Sequence, residues 1–168
     1  MLSVIIETRN SEESLARTLA SLVPSAVDGT VREVIVCDRG SIDQTHRVAD
    51  HAGCRFIAQG GISAAIREAR SEWLLLLEPG ARLTERWSEE VAAHIACQTM
   101  AARFSRSRAH RAPFLSRVFS SRRALAEGLV ISRRQALSLS KSAMDAEALA
   151  RGLAVKRLPA EIVVASPG

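Results

Sequence analysis

The chain has 168 residues, 47% hydrophobic and 24% charged, which is typical of one globular domain with a sizeable core. Its formal net charge is +5, but no basic-aromatic interleaving indicates a nucleic-acid partner, and three widely spaced cysteines argue against a disulfide framework or zinc site. The longest apolar run, Trp73 to Leu77, is too short to span a membrane, and no signal peptide precedes the first strand, so we expect a cytoplasmic protein.

Strands and helices alternate over the first half of the chain. Short apolar runs predict four strands, at residues 2–7, 31–37, 55–58 and 73–77. Helical spacing of apolar residues predicts four helices, at residues 12–22, 41–51, 63–70 and 84–100. Pro24 and Asp28-Gly29 mark a loop before the second strand. This alternation predicts an α/β fold with a mostly parallel sheet and helices on both faces.

The second half is less regular. Its predicted elements are an edge strand with a linker at 104–112, an amphipathic helix at 113–126, a strand at 128–132, short helices at 133–139 and 143–151, and strands at 154–158 and 161–165. No internal repeat or low-complexity segment divides the chain, so we expect a single domain over residues 1–168.

The first two strands end in polar loops that open helices. Thr8-Arg9-Asn10 follows the first strand, and Asp38-Arg39-Gly40-Ser41 follows the second. In open α/β sheets, ligands bind beyond the carboxyl ends of such strands. We therefore expect a binding site at these loops, although Asp38 could equally be a turn or helix-cap residue.

Several segments, taken in order, resemble family 2 glycosyltransferases with the GT-A fold. SVIIETRNSEESLARTLASL is similar to the family's opening strand and its Pro-Thr-Tyr-Asn-like loop, and REVIVCDRGSIDQT resembles the Val-Asp-Asp-Gly-Ser-x-Asp-x-Thr segment. GISAAIREARSEWLLLLEPGARL lies where the family has a helix and then a strand ending in an Asp-x-Asp triplet. The likeness covers roughly residues 2–87, and EGLVISRRQAL and AMDAEALARGLAVKRLPAEIVV match the later acceptor half more weakly.

The resemblance implies a three-layer GT-A-like fold and the transfer of a sugar from a UDP- or GDP-linked donor to an acceptor. It divides the single domain into a nucleotide-sugar-binding half at 1–100 and a trimmed acceptor half at 101–168. It places Thr8 and Asp38 at the nucleobase or ribose. Glu12 or Glu13 could contact the ribose, although glutamates in a first helical turn commonly serve only the helix dipole.

Important family positions carry other residues in this chain. The second aspartate of Asp-Asp-Gly-Ser is Arg39, the tyrosine of the opening loop is Arg9, and the Asp-x-Asp triplet is Glu78-Pro79-Gly80. In the family, that triplet holds a divalent cation on the diphosphate. Glu78 alone is a poor anchor for Mg²⁺ or Mn²⁺, which require several oxygen ligands.

Two hypotheses follow from the arginine at position 39. In the first, Arg39 with Arg9 or Arg67 pairs with phosphate oxygens in place of the metal ion, and the transferase is metal-independent. In the second, Arg39 pairs with Asp38 or Asp43 and fills the empty site of a non-catalytic binding or scaffold protein.

The resemblance also implies an inverting reaction, which needs a carboxylate base to take the proton of the acceptor hydroxyl. The matching residue is Asp145 in Met144-Asp145-Ala146-Glu147, where Met144 replaces the glutamate of a Glu-Asp pair. An aspartate at the start of a helix could equally be an ordinary cap.

Partners are predicted from the second half. The segment 113–126 carries Arg117, Arg122 and Arg123 beside its apolar stripe, and could lie on the inner face of a membrane that holds a lipid-linked acceptor. It could equally pack on the sheet or on a partner subunit. Because the acceptor half is short for the family, a homodimer or another partner could complete the site.

The sequence therefore predicts a glycosyltransferase with atypical or absent metal dependence. The alternative is a non-catalytic nucleotide- or protein-binding module. A nucleotidyltransferase-like enzyme is a third alternative, but it would need a glycine-rich basic signature that residues 8–13 lack.

Overall fold

A computed structural model describes residues 1–107 and 123–166 of the chain. The strands of these residues are β1 (Leu2–Thr8), β2 (Val31–Asp38), β3 (Arg55–Ile57), β4 (Trp73–Leu77), β5 (Arg82–Leu83), β6 (Ala102–Arg106), β7 (Leu129–Ser132) and β8 (Lys156–Val163). The helices are α1 (Glu12–Val27), α2 (Thr45–His51), α3 (Gly61–Glu68), α4 (Trp87–Cys97), α5 (Arg133–Leu139) and α6 (Ala146–Ala150).

The strands form an eight-stranded sheet in the order β3-β2-β1-β4-β7-β6-β8-β5. The strands β1 to β4 pair in parallel, because the crossover helices α1, α2 and α3 lie between successive strands. β7 joins antiparallel to β4, and β8 pairs parallel with β6. The predicted α/β class and GT-A-like architecture are confirmed, with a mixed sheet of which the first half is parallel.

Side-chain alternation along the central strands builds a core on each face of the sheet. Val4 and Ile6 of β1 pack with Leu15 of α1 on one face, whereas Ile5 packs with Ile66 of α3 on the other. Successive residues of a strand point to opposite faces, and both faces of these strands are covered, so consecutive positions such as Val4, Ile5 and Ile6 are all apolar. The result is a three-layer domain whose polar loops lie at the strand ends.

The predicted loop at Pro24 is wrong, because α1 continues through this residue to Val27. Proline removes one helical N–H, but the buried face continues past it at Ser25, and the amide of Asp28 donates to the Pro24 carbonyl at 3.0 Å. Packing of the helix on the sheet outweighs the single lost hydrogen bond.

The second half differs from the prediction in its strands. β6 is not an edge strand but lies between β7 and β8, and β8 runs continuously where two strands were predicted. Its pairing with β6 extends from Lys156 to Ile162, with a shift in register between Arg157 and Glu161, so the predicted break is a bulge within one strand. The predicted helix at 113–126 lies largely outside the described residues, and residues 124–127 form a turn.

Within the described ranges, the helices are all too short or too polar to cross a lipid bilayer.

Candidate active site

Thr8 and Asp38 are register partners at the carboxyl ends of β1 and β2. The Thr8 hydroxyl donates to Asp38 Oδ1 at 2.9 Å, and the Ser41 hydroxyl donates to the same oxygen at 2.6 Å. Asp38 Oδ2 accepts the amides of Gly40 and Ser41 at 3.1 and 2.8 Å. Burial alone would raise the pKa of Asp38, but these hydrogen bonds outweigh it and hold the pKa below its usual value. Each carboxylate oxygen already accepts two hydrogen bonds, which favours the turn role of Asp38 over direct contact with a nucleobase.

The loops after β1 and β2 hold each other by reciprocal hydrogen bonds. The Asn10 amide donates to the Ser41 hydroxyl at 2.8 Å, and the Ile42 amide donates to the Asn10 side-chain oxygen at 2.8 Å. The Ser11 amide donates to the Thr45 hydroxyl at 2.9 Å. The two loops therefore form one unit at the carboxyl ends of β1 and β2. Their backbone conformation is fixed before any ligand binds.

Glu12 belongs to the same network. Its carboxylate accepts the Gln44 amide at 2.9 Å, while its own amide donates to Asp43 at 3.2 Å. Asp43 is also bonded to Thr45, and these bonds lower the pKa of Asp43. Glu12 thus helps to join the two loops, and a ribose hydroxyl would have to share its carboxylate with the Gln44 amide.

Arg39 projects from the second loop to an acidic pair on β1 and α6. Its guanidinium lies 3.4 Å from Asp145 Oδ2, and its Nε lies 4.0 Å from Glu7 Oε1. Asp145 caps α6 by accepting the Ala148 amide at 2.7 Å, and Glu7 accepts the Ala146 amide at 3.0 Å. The predicted pairing of Arg39 with Asp38 or Asp43 is therefore wrong, because those carboxylates accept hydrogen bonds from the two joined loops instead.

Glu7 is a site residue that sequence reasoning missed. Its Oε1 is buried and has no hydrogen-bond partner within residues 1–107 and 123–166. Burial raises the pKa of Glu7, a shift that the Ala146 amide and Arg39 oppose. The available signal was an acidic residue inside an otherwise apolar strand, one position before the polar loop.

The triplet Glu78-Pro79-Gly80 is covered by the chain itself. Arg123 lies 3.2 Å from Glu78 and also donates to the Ala165 carbonyl at 3.1 Å. Gly80, at φ +93°, donates its amide to Thr18 at 2.8 Å, and a Cβ here would lie 3.3 Å from that of Ala165. Burial raises the pKa of Glu78, and Arg123 opposes that shift.

A divalent cation does not fit this donor set. The one carboxylate of the triplet already faces a guanidinium, and proline and glycine add no side-chain oxygen. Across residues 1–107 and 123–166, no three His, Cys, Asp or Glu side chains are grouped to hold a metal ion. Arg123 supplies the positive charge next to Glu78. The sequence could not predict this contact, because no local pattern links Arg123 to the end of β4.

The other two arginines that were predicted to bind phosphate, Arg9 and Arg67, lie in different parts of the structure. Arg9 is exposed beside the paired loops, directly after Thr8. Arg67 lies in the last turn of α3, where its side chain donates to Ser63 at 2.7 Å and its carbonyl accepts from Arg133 at 2.7 Å. Because α3 runs back toward the start of β4, Arg67 lies near the opposite edge of the sheet and is not brought to the loops.

Four cavities of 760, 520, 510 and 390 Å³ are lined by residues other than Thr8, Asp38 and Arg39. A ligand of the strand-end loops would therefore bind against the paired loops and their arginines, outside these four cavities.

Comparison with protein families matches residues 3–102 to the model described as glycosyl transferase family 2. The chain belongs to this family. No curated protein matches the sequence.

Solved structures share the fold. Staphylococcus aureus TarS, residues 1–349, is 19% identical with a TM-score of 0.71, and the match covers 99% of this chain and 60% of that one. Glucosyl-3-phosphoglycerate synthase from Mycobacterium tuberculosis, solved with Mn²⁺, UDP and glucosyl-3-phosphoglycerate, is 18% identical with a TM-score of 0.57, over 83% of this chain and 59% of that one. TarS has also been solved with UDP, at 18% identity and a TM-score of 0.64, over 88% of this chain and 52% of that one. The chain thus spans between 52% and 60% of the length of these structures.

Proposed function

We propose that this family 2 domain binds a nucleotide-sugar against the loops after β1 and β2 and transfers its sugar to an acceptor hydroxyl. The observation that carries the proposal is the contact between Arg39, on the second loop, and Asp145, the candidate base. UDP complexes of TarS and of glucosyl-3-phosphoglycerate synthase favour a UDP-linked donor over a GDP-linked one.

The donor diphosphate would be neutralised by arginine. Arg9 and Arg39 follow neighbouring strand ends, on loops that hold each other, and both side chains reach the surface. A guanidinium binds two phosphate oxygens at once, so these side chains could supply positive charge that the Glu78-Pro79-Gly80 triplet cannot anchor as a metal ion. Thr8 and Asp38 serve this site by fixing the shape of the second loop.

Transfer needs one proton acceptor and one stabilised leaving group. Asp145 would take the proton of the acceptor hydroxyl while its oxygen attacks the anomeric carbon. The bond from that carbon to the diphosphate breaks, and the nucleoside diphosphate leaves with its negative charge balanced by the arginines. The Ala148 amide holds Asp145 Oδ1, which leaves Oδ2, beside Arg39, to receive the proton.

A non-catalytic binding domain is the second candidate. Two observations favour it. Both carboxylate oxygens of Asp38 already accept hydrogen bonds from the protein, and Glu78 is paired with Arg123, so the protein's own side chains occupy groups that a ligand would need. A lipid-linked acceptor, a homodimer and a cytoplasmic location stay predictions.

Calorimetric titration with UDP and GDP, each in EDTA and in Mn²⁺, tests the proposal. We expect saturable UDP binding of equal affinity in both conditions, and release of UDP from a UDP-sugar when acceptor is supplied. Absence of binding by either nucleotide would favour the non-catalytic domain. Binding that requires Mn²⁺ would show that a metal ion, and not arginine, neutralises the diphosphate.

A further inference from the structure

The largest of the four measured cavities lies at the opposite edge of the sheet from the paired loops. Its volume is 760 Å³, and it is bordered by Trp73, which opens β4, and by Ser132, which closes the antiparallel β7. Trp73 is the register partner of Leu2, the first residue of β1, so the length of that strand, about 20 Å, separates this cavity from Thr8. Cavities of this volume bind small molecules in other proteins.

The wall of this cavity is strongly cationic. Arg70, Arg133, Arg134 and Lys141 line it, against one acidic residue, Glu72. Arg70 faces Glu33 at 3.9 Å, but in the described ranges no carboxylate forms an ion pair with the other three cations. A concave surface of one sign concentrates the field and attracts ligands of the opposite sign.

Two residues that line the cavity, Arg133 and Ser71, carry a charge or a hydroxyl group that no described residue neutralises or pairs with. Arg133 donates from Nε to the Ile66 carbonyl at 3.1 Å and from its second terminal nitrogen to the Arg67 carbonyl at 2.7 Å, so its charge is fixed in place without being neutralised. Ser71 is 5% exposed, and its hydroxyl oxygen is buried with no hydrogen-bond partner among the described residues. Buried hydroxyls without a partner are uncommon, and this one belongs to a residue that lines the cavity.

The same cavity offers apolar surface. Trp73 and Leu137 line it beside the cations, and the Trp73 ring is braced edge-on by His94 at a centroid distance of 6.2 Å. A flat or apolar group could therefore pack on the indole while an attached anion meets the arginines.

From this arrangement we propose that the cavity is a second ligand site, which takes a soluble small molecule carrying a phosphate group next to an apolar or aromatic moiety. Phosphate is favoured because arginine binds its oxygens in pairs and because three unneutralised cations match a dianion. A soluble ligand is favoured over a membrane surface because the cations line a concavity, which a flat layer of headgroups cannot enter. The site is independent of sugar transfer, and its position allows both ligands to bind at once.

Calorimetry with phenyl phosphate tests the site in the whole chain. We expect saturable one-to-one binding, tighter than that of inorganic phosphate, and an affinity at least about 10-fold lower in the double variant Arg134→Ala/Lys141→Ala. Both side chains are exposed, so the variant should fold. The matched control is Arg47→Ala/Arg82→Ala, which removes the same charge from exposed positions elsewhere and should leave the affinity unchanged.

Four outcomes would overturn the proposal. Equal weakening in both double variants would indicate general charge attraction. Loss of phenyl phosphate binding in Arg39→Ala would place the ligand at the paired loops instead. Absence of saturable binding, or binding only to vesicles that contain phosphatidic acid, would exclude a site for a soluble ligand.

Discussion

The guanidinium of Arg39 lies 3.4 Å from the carboxylate of Asp145, which is 106 residues away in the chain. The two side chains are 49% and 29% exposed, so water screens the pair and its contribution to the free energy of unfolding is below about 1 kcal/mol. Its importance is positional, because it brings a cation from the loop after β2 to the residue that caps α6. Both halves of a transfer reaction, the leaving diphosphate and the attacking hydroxyl, would meet at this contact.

Replacement of Arg39 should weaken nucleotide binding with little effect on folding. We expect Arg39→Ala to lower the UDP affinity about 10-fold, and Arg39→Lys to lower it less, because lysine keeps the charge but loses the two-pronged geometry. Calorimetry measures both. Arg17→Ala is the control, since the exposed Arg17 forms an ion pair with Glu13 on α1. Wild-type affinity in Arg39→Ala would remove this residue from the donor site.

Asp145→Asn separates catalysis from structure. Asparagine also caps helices, so α6 and the affinity for UDP should be preserved, whereas loss of the proton acceptor should lower turnover about 100-fold or more. Single-turnover assays with a UDP-sugar, beside UDP titrations of the same variant, give the two quantities. Glu89→Gln, at an exposed position on α4, is the control. Unchanged turnover would show that another group accepts the proton.

Thr8→Val tests the hydrogen bond to Asp38. A hydrogen bond to a charged group contributes about 1.5–3 kcal/mol, so we expect a loss of that size in the free energy of unfolding at pH 7. The pKa of Asp38 lies below its ordinary 3.8, so its ionised form stabilises the fold above that pH, and this stability is lost as the pH falls through the folded pKa. Urea unfolding should therefore show that the difference in free energy of unfolding between Thr8→Val and the wild type becomes smaller below pH 3.8.

The control for that prediction is Thr8→Ser, which keeps the hydroxyl. It should lose about 0.8 kcal/mol for the buried methyl group, with no dependence on pH. A pH-independent deficit in Thr8→Val would mean that the hydroxyl contributes packing and not a bond to the ionised carboxylate.

Glu7→Gln should raise the free energy of unfolding at neutral pH. Burial raises the pKa of Glu7, so the protonated form stabilises the fold; that stability is complete below the ordinary pKa of 4.5 and is lost as the pH rises through the folded pKa. Glutamine removes the buried charge and can still accept the Ala146 amide. The advantage of the variant should shrink as the pH is lowered toward 4.5 in urea titrations. A variant less stable than wild type at pH 7 would show that the Arg39 ion pair outweighs burial.

The positions of the strand ends could be predicted from the sequence, because they depend on local patterns of apolar and polar residues. Runs of apolar residues that stop at Thr8 and Asp38 predict both the strands and the loops beyond them, and parallel pairing brings these residues together. The ion-pair partners of Arg39 could not be predicted from the sequence in the same way. Its neighbours in sequence, Asp38 and Asp43, are consumed by loop hydrogen bonds, which no residue pattern reveals.

The sequence by itself determined the α/β class, the order of the first-half elements and membership of the family, because periodicity and motif order are properties of neighbouring residues. Only the tertiary structure decided that Arg123 faces Glu78, that Arg39 faces Asp145, and that Ser71 lies in a cationic cavity. Each of these contacts joins segments far apart in the chain. Their distances depend on how the sheet orders its strands and on which faces the helices cover, and this is set by the packing of the whole core.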